Sequence, residues 1–222
     1  MSKQFLAIIA VVIVLLGGVF VITNKNSGTS GSSSSAKPSS HVEGSTSSGV
    51  KLVEYGDYEC PYCGQYYPIV KQAVEQYKDK IQFQFRNLPL SSIHKNAFAG
   101  ARAAEAASLQ GKFWEMHDKL YENQDPQGAS GWVASNDPLN DYFVNFARQI
   151  GLDTTKFKTD FASSTVNDTI NADIAEFKKT KLDESTPTFL LDGKHITPGY
   201  SLSDFTKAFD AAISAQAKGT AN

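Results

Sequence analysis

The hydrophobic positions of the chain begin with one long apolar run. Residues Phe5 to Ile22 form 18 consecutive positions without a charged or strongly polar side chain. A helix of that length, rising about 1.5 Å per residue, is roughly 27 Å long, close to the hydrocarbon thickness of a bilayer. Residues 1–22 are therefore predicted to be an N-terminal membrane anchor. A cleaved secretory signal is the alternative, although its apolar region is usually shorter and no A-x-A pattern follows here.

A polar segment without aromatic residues follows the apolar run. Of the 27 residues in 23–49, 18 are Ser, Thr or Gly, so the segment is predicted to be a disordered linker. Residues 50–222 are then predicted to be one folded domain. Lys3 and the free amine precede the span while Lys25 follows it, which weakly favours a cytoplasmic N-terminus. We expect a single-pass protein of the cell membrane with its C-terminal domain on the extracytoplasmic side.

The pattern changes to alternating strand and helix signals from residue 51 onward. Lys51 to Tyr55 is predicted to be a strand, and apolar residues at helical spacing follow Cys63. Ile81 to Arg86 alternates between apolar and polar residues, which predicts a half-buried strand. Strand, helix and strand within about 37 residues predict a βαβ unit.

A long helical region separates this unit from a second group of strands. Seven alanines between His94 and Leu109 favour helix, and the helical insertion is predicted over about 92–182. Asn123 to Pro138 is predicted to be a loop because it is rich in Pro, Gly and Asn. Thr188 to Leu191 is predicted to be a strand that leads through Asp192-Gly193 into a hairpin and a last helix.

Charge and cysteine content narrow the function. The chain has 21 Lys+Arg and 23 Asp+Glu, a net charge of -2, which argues against nucleic-acid binding through bulk charge. Its only two cysteines, Cys60 and Cys63, exclude a multi-disulfide scaffold. A thiol at the start of a helix has a lowered pKa, so Cys60 is the predicted attacking sulfur. Cys63, one turn later, is the predicted resolving sulfur, and the pair is a redox-active disulfide that needs no cofactor.

Two alternatives stay open for these residues. The same cysteine spacing is half of a zinc site, but a closed site needs two further ligands and the four histidines show no matching spacing. Pro187, just before the predicted strand at Thr188, is either an ordinary strand-start proline or a cis-proline beside the disulfide. Its pairing with an upstream C-x-x-C in a βαβ unit favours the second interpretation, and no metal is expected.

The motifs VEYGDYECPYC (Val53 to Cys63) and STPTFLLDG (Ser185 to Gly193), with the helical segment between them, resemble the DsbA-like branch of the thioredoxin superfamily. The resemblance extends over roughly Val50 to Ala217. It implies an α/β fold, a thioredoxin fold with an inserted helical domain, and thiol–disulfide exchange outside the cytoplasm. It also implies that Pro187 is a cis-proline and that Thr186 meets the substrate backbone.

The resemblance gives Glu54 and Tyr62 their candidate roles. Glu54 occupies the place of a buried acidic group in the family, and such a carboxyl would have a raised pKa and relay a proton to or from Cys63. A surface glutamate on an edge strand is the alternative. Tyr62 is the best candidate for a partly exposed apolar collar for unfolded substrates, against simple packing of the tyrosines near the motif. The sequence has Pro61-Tyr62 where strongly oxidising members often have Pro-His, so the motif lacks a histidine that would stabilise the Cys60 thiolate.

Three functions remain. The leading one is a monomeric, membrane-tethered dithiol oxidase that passes its disulfide to unfolded, thiol-containing secreted or envelope proteins, and that a membrane redox partner reoxidises. The second is a reductase or isomerase that uses the same cysteines. The third is a non-catalytic binding or chaperone module.

Overall fold

The computed structural model describes residues 36–45, 47 and 49–219. The predicted anchor, residues 1–22, and the first part of the predicted linker lie outside the described residues. Within the described ranges, no helix combines the length and the apolar character that a membrane span requires.

A five-stranded mixed sheet forms the centre of the domain, in the order β1-β3-β2-β4-β5. The central strand β2 is parallel to β3 and antiparallel to β4, and the remaining pairs are antiparallel. The predicted βαβ unit and the final β-β-α arrangement are both confirmed. The strands are β1 (His41–Gly44), β2 (Lys51–Gly56), β3 (Gln82–Asn87), β4 (Thr188–Leu191) and β5 (Lys194–Ile196).

Eight α-helices surround the sheet in the described part of the chain. They are α1 (Pro61–Tyr77), α2 (Ala97–Ser108), α3 (Phe113–Glu122), α4 (Gly131–Ala134), α5 (Val144–Gln149), α6 (Thr154–Phe161), α7 (Ser164–Lys179) and α8 (Leu202–Gly219), with a π-helical turn at Leu139–Phe143. Helices α2 to α7 lie between β3 and β4, inside the predicted insertion of about 92–182. The Asp153 side chain accepts hydrogen bonds from the backbone N–H groups of Thr155 and Lys156 and so caps α6.

Helices cover both faces of the sheet. On one face, Leu52 and Phe189 pack in the core that also contains Phe205 of α8. On the other face, Tyr55 packs edge-on against Phe177 of α7, with ring centroids 5.1 Å apart. Successive side chains of a strand point to opposite faces, so β2 is buried on both sides. The strand before the cysteines is therefore the central strand of the sheet.

The predicted loop from Asn123 to Pro138 contains the short helix α4. Trp132, in the middle of this helix, is fully buried, and its Nε1 donates a hydrogen bond to the Leu120 carbonyl at 3.0 Å. The prediction was wrong at these positions because turn-forming residues flank the tryptophan. Its burial against α3 depends on distant residues that local composition does not reveal.

The predicted disordered linker, residues 23–49, ends earlier than expected. Strand β1 lies inside it and pairs with β3. The His41 ring stacks on the Phe113 ring with centroids 3.4 Å apart, and its Nε2 lies 2.9 Å from the Glu105 carboxylate. A boundary at residue 50 is therefore wrong, because a Ser-rich composition does not exclude pairing with the edge of a sheet formed by the rest of the chain.

The alternating pattern of β3 predicts a half-buried strand, and this prediction is wrong. Its polar residues Gln84 and Asn87 are as buried as its apolar ones. Gln84 donates to the Ser39 carbonyl, and Asn87 donates to the Glu105 and Asp173 carboxylates. Buried polar residues of a strand need hydrogen-bond partners, and here the N-terminal segment, α2 and α7 supply them.

One buried carboxylate joins the N-terminal segment to the rest of the domain. Asp173 of α7 accepts hydrogen bonds from the Ser39 backbone N–H (2.8 Å), the Ser39 hydroxyl (2.7 Å) and the Asn87 backbone N–H (3.0 Å). Arg86 Nη1 lies 3.3 Å from its Oδ1. A buried charge is tolerated only when it is paired and hydrogen-bonded, and these donors satisfy that requirement.

We expect Asp173→Ala to lower the free energy of unfolding by about 3–5 kcal/mol, because it leaves several buried donors without an acceptor. Ser39→Ala should lower it by about 1–2 kcal/mol. The exposed Asp168 on the same helix is the matched control, and Asp168→Ala should change stability by less than about 0.5 kcal/mol. Urea unfolding of the full chain measures all three. Equal effects of the two aspartate substitutions would contradict this account of the fold.

Candidate active site

The two cysteines lie at the start of α1, directly after the central strand. Cys60 is the N-cap residue, and Pro61 occupies the first helical position, where its missing N–H leaves no hydrogen bond unmade. The Gly64 N–H donates to the Cys60 carbonyl at 3.2 Å and closes the first turn. Cys60 is 3% exposed and Cys63 is 0% exposed, and the two thiols are not joined by a disulfide.

The Cys60 thiol is unusually acidic. Hydrogen bonding from the Cys63 thiol is the largest cause, and it lowers the pKa of Cys60 to about 6. Thr186 and the backbone N–H groups of Cys63 and Tyr62 act in the same direction, against the opposing effect of burial. These amides belong to the orphan donors at the start of a helix, which stabilise negative charge. At pH 7, roughly nine-tenths of Cys60 is thiolate.

The Cys63 thiol has the opposite character. Burial raises its pKa well above the ordinary value, and the hydrogen bond to Cys60 and the negative charge of the Cys60 thiolate raise it further. The pair therefore contains one thiolate and one firmly protonated thiol. This difference fits the predicted division between an attacking and a resolving sulfur, and the individual roles stay predictions.

The loop before β4 lies against Cys60, as its proline predicted. The Thr186–Pro187 peptide bond is cis. Cys60 Sγ lies 3.4 Å from the Thr186 carbonyl oxygen, across 126 positions of sequence. The Thr186 hydroxyl is buried and has no hydrogen-bond partner within the described chain. The structure thus brings Cys60, Cys63, Thr186 and Pro187 together, while contact of Thr186 with substrate stays a prediction.

The tyrosines near the motif divide into two groups. Tyr55 and Tyr58 are buried, as the packing interpretation expects. Tyr62 is 56% exposed directly beside Cys60, as expected for a collar residue. Tyr200 is also exposed, and its ring stacks on Tyr66 with centroids 4.4 Å apart. Tyr66 and Tyr200 form an aromatic pair held by the hydrogen bond from the Tyr66 hydroxyl to the Pro198 carbonyl at 2.6 Å.

Glu54 is buried, 3% exposed, on the central strand β2. It shares a strand face with Leu52, as its position predicted, and is not a surface residue on an edge strand. Burial raises its pKa to about 8, and the negative charge of the Cys60 thiolate acts in the same direction. A carboxyl with that pKa is mostly protonated at neutral pH and can both donate and accept a proton near pH 8.

Sequence reasoning missed the residues that hold the motif in place. Gln124 Nε2 donates to the carbonyls of Tyr58 (2.7 Å) and Cys60 (2.9 Å). The Asp57 carbonyl accepts from the Cys60 N–H at 3.1 Å, and its carboxylate accepts from the Glu59 N–H at 2.8 Å. An aspartate two residues before a turn is a local signal that could have identified Asp57. Gln124 comes from after α3, so no local signal pointed to it.

His94 was also missed, and it bears on the absence of a histidine between the cysteines. Its Nδ1 lies 2.7 Å from the Asp57 carboxylate. Hydrogen bonding to Asp57 is the largest cause of its raised pKa, and the Cys60 thiolate contributes. Electrostatic coupling is mutual, so protonated His94 in turn favours the Cys60 thiolate. Position 62 is a tyrosine, yet a histidine from the loop before α2 is still electrostatically coupled to the site.

Within the described residues, no group of three or more His, Cys, Asp or Glu side chains is arranged to hold a metal ion.

The chain is similar to several known proteins. A family model described as Thioredoxin matches residues 36–211. A Na(+)/H(+) antiporter NhaA 1 of Salinispora arenicola is 34% identical over 180 residues, which are 81% of this chain and 25% of the antiporter. The chain thus spans about a quarter of the length of the curated relatives it matches.

Two solved structures extend the comparison to the fold. A thioredoxin-like oxidoreductase from Silicibacter pomeroyi is 27% identical with a TM-score of 0.64, covering 79% of this chain and 92% of that one. The thiol-disulfide exchange protein alpha-DsbA2 from Wolbachia pipientis is 18% identical with a TM-score of 0.64, covering 78% and 86%. The chain belongs to the thioredoxin family and has a DsbA-like fold, as the family match, the cysteine pair, the cis-proline loop and the shared fold show.

Proposed function

We propose that the protein is a thiol–disulfide oxidoreductase that acts mainly as a dithiol oxidase. The observation that carries the proposal is the contrast in acidity between Cys60 and Cys63. A thiolate that is stable at neutral pH is a good leaving group and favours the reduced form of the pair. The disulfide is then the less stable form, and the protein passes it on to other thiols.

The proposed reaction transfers two electrons from the substrate to the enzyme in two thiol–disulfide exchanges. A substrate thiolate attacks Cys60 Sγ, the Cys60–Cys63 bond breaks, and Cys63 leaves with the electron pair and takes up a proton. A second substrate thiolate then attacks the substrate sulfur of the mixed disulfide and expels the Cys60 thiolate. The substrate has gained a disulfide and lost two electrons, and the enzyme pair has gained them. A membrane redox partner that accepts these two electrons would restore the enzyme disulfide.

Glu54 has the properties needed to supply the proton. Cys63 is a poor leaving group because burial disfavours its thiolate. Glu54 is buried on β2, the strand that precedes the cysteines, and its pKa of about 8 keeps it protonated at neutral pH. Its proposed role is to protonate departing Cys63, and to remove that proton again when Cys63 attacks during reoxidation.

The surface around Cys60 fits an unfolded thiol-containing protein. The cis-proline loop places the Thr186 carbonyl beside Cys60, and Tyr62, two residues after Cys60, is exposed. Tyrosine offers a large contact area with a polar tip, which suits substrates of varied sequence. We propose that Thr186 and Pro187 bind the substrate backbone and that Tyr62 contacts its apolar side chains.

The proposed location is the extracytoplasmic side of the cell membrane. Disulfides persist in oxidising compartments outside the cytosol. The apolar run Phe5 to Ile22 supports a single-pass anchor, with the folded domain attached through a Ser-rich segment. A tethered monomer could then meet both secreted substrates and a membrane partner.

Cys63→Ser should trap the reaction halfway, because no resolving sulfur remains to release the substrate. We expect stable mixed disulfides through Cys60 when the variant meets a thiol-containing peptide activated as a disulfide. Non-reducing gels and mass spectrometry would detect them. Cys60→Ser is the matched control and should form no adduct. If Cys63→Ser forms none either, a binding or chaperone module replaces the proposed enzyme.

The reduction potential of the Cys60–Cys63 pair decides the direction of exchange. Equilibration of the full chain with glutathione buffers should give a value nearer to about -120 mV than to about -270 mV, because the stable Cys60 thiolate favours the reduced pair. His94→Gln is a useful companion variant and should lower the potential. A wild-type value near -270 mV would make the protein a reductase.

Glu54→Gln should slow cleavage of the Cys60–Cys63 disulfide by added thiol about 100-fold, since it removes the proton donor to Cys63. After correction for the thiolate fraction of the reductant, the wild-type rate should fall as rising pH deprotonates Glu54, whose pKa burial raises, and the variant should lack this step. Stopped-flow tryptophan fluorescence across pH 5–9 is the measurement.

Stability provides the control for Glu54→Gln. The raised folded-state pKa of Glu54 means that its stabilising contribution is full below the unfolded pKa and is lost as pH rises through about 8. The variant should therefore be at least as stable as wild type in mildly alkaline solution. Unchanged exchange kinetics in a folded variant would remove Glu54 from the mechanism.

A further inference from the structure

The proposed role of Glu54 requires protons to reach it while substrate covers Cys60. In a mixed disulfide the substrate is bonded to Cys60 and lies on the surface formed by Tyr62, Thr186 and Pro187. Glu54 has given its proton to Cys63 at that stage and is a buried carboxylate, which is an unfavourable state. The inference below rests on this proposed function and concerns the route by which Glu54 regains its proton.

A small cavity of about 40 Å³ lies beside Glu54. Water needs roughly 10–15 Å³ of such space and two or more polar partners, so the cavity has room for it. It lies between the sheet and helices α1 and α3. The residues that line it are Glu43, Glu54, Tyr67, Val70, Lys71, Val74, Phe83, Trp114, His117, Asp118 and Tyr121.

One buried polar group on this cavity has no partner among the described residues. The Tyr121 hydroxyl is buried and makes no hydrogen bond within the described chain. Buried polar groups are almost always satisfied, so this hydroxyl points to hydrogen bonding within the cavity that Glu54 also lines.

The cavity reaches solvent through an open surface groove, and this groove lies away from the residues around Cys60. Glu43, Tyr67, Lys71 and Val74 line both the cavity and an open surface groove. Cys60, Tyr62, Thr186 and Pro187 line neither. A substrate bonded to Cys60 therefore leaves this mouth uncovered.

His117 is the titratable ring on the wall of the cavity. Aromatic rings surround it, with the centroids of Phe85, Trp114 and Tyr121 at 4.9, 5.1 and 5.1 Å. Its Nδ1 lies 3.4 Å from Asp118 Oδ1, and Lys71 Nζ lies 2.7 Å from Asp118 Oδ2 at the mouth. Burial lowers the pKa of His117, so the ring is neutral and can accept a proton as well as donate one.

We propose that this cavity is a proton port, in which His117 passes protons between solvent at the Lys71–Asp118 pair and the Glu54 carboxyl. After Cys63 has taken its proton, Glu54 regains one through the port. During reoxidation the proton leaves by the same route. Each passage moves one proton and no electrons, and the sulfur chemistry at Cys60 is unchanged. His117 is a positioning residue here because it touches neither sulfur nor substrate.

The port also contains other titratable and charged groups besides His117. Strand β3 contributes only apolar Phe83. The mouth holds Lys71, which also donates to the Tyr67 hydroxyl at 2.9 Å and lies 3.7 Å from Glu122. The titratable and charged groups facing the cavity are Glu43 from β1, Glu54 from β2, Tyr67 and Lys71 from α1, and His117, Asp118 and Tyr121 from α3.

The test follows proton exchange on Glu54 directly. The reduced full chain, labelled with ¹³C at glutamate carboxyl carbons, is titrated from about pH 6 to about pH 10 by NMR. The resonance missing from Glu54→Gln identifies the group. We expect one averaged line at every pH in wild type, and the same after Cys60 is alkylated with a bulky maleimide. This second measurement needs no substitution in the port.

Two substitutions block the port in different ways. His117→Phe keeps an aromatic ring in the aromatic surroundings, and His117→Gln keeps a hydrogen-bonding side chain. Both should slow proton exchange on Glu54 at least about tenfold, seen as broadened or separate lines near its midpoint. His41→Ala is the matched control, since it removes another ring stacked on an aromatic residue, Phe113, but lines no part of the cavity. Its lines should stay averaged.

The outcomes separate the port from the function on which it rests. Fast exchange in both His117 variants overturns the port and leaves Glu54 as the proton donor. Slow exchange after alkylation of Cys60 in wild type also overturns the port, because protons would then pass through the exchange surface. If Glu54 does not titrate across this pH range, both the port and its role toward Cys63 are wrong.

Discussion

The chemistry of this domain depends on holding two thiols, one helical turn apart, at very different acidities. Both belong to the start of α1, but only Cys60 lies at the N-cap, where backbone N–H groups and the Cys63 thiol stabilise its thiolate. Cys63 lies one turn further in and is completely enclosed. In the proposed exchange this pKa difference makes the two sulfurs unequal, because attack on Cys60 and departure of Cys63 require different stabilising groups. In the proposed reaction, Thr186 in the loop before β4 and Glu54 on β2 provide that help.

The helical insertion is part of the site and not merely attached to it. Gln124, from the end of α3, holds two carbonyls of the cysteine loop, and His94, from before α2, is paired with Asp57 and electrostatically coupled to Cys60. The thioredoxin part of the fold supplies the sulfurs, the cis-proline loop and the groups that lower the pKa of Cys60, and the insertion adds contacts that hold the cysteine loop in place. A Pro-Tyr pair between the cysteines is compatible with an acidic Cys60 because the Cys63 thiol, Thr186 and the backbone N–H groups at the start of α1 lower its pKa without a histidine in the motif.

Sequence predicted the features that depend on short spacing. The cysteine pair at a helix start follows from local spacing, and the cis bond at Pro187 and the burial of Glu54 follow from the resemblance of the two motifs to the DsbA-like branch. The boundary at residue 50, the burial of Gln84 and the position of Trp132 did not, because each depends on a partner far away in the chain. Ser39 shows the difficulty most clearly: in sequence it is one serine among many, and only Asp173, 134 positions later, makes it part of the core.

A buried Glu54 has an energetic consequence for the whole domain. Its raised pKa means that the folded state binds the proton more tightly than the unfolded chain, so stability declines as pH rises through about 8. An apolar side chain of similar size would avoid this loss. The carboxyl can be tolerated because the rest of the core is extensive. Aromatic residues of β3, β4, α3 and α8 pack together in it. Stability supplied by that packing allows a destabilising group to lie where a proton is needed.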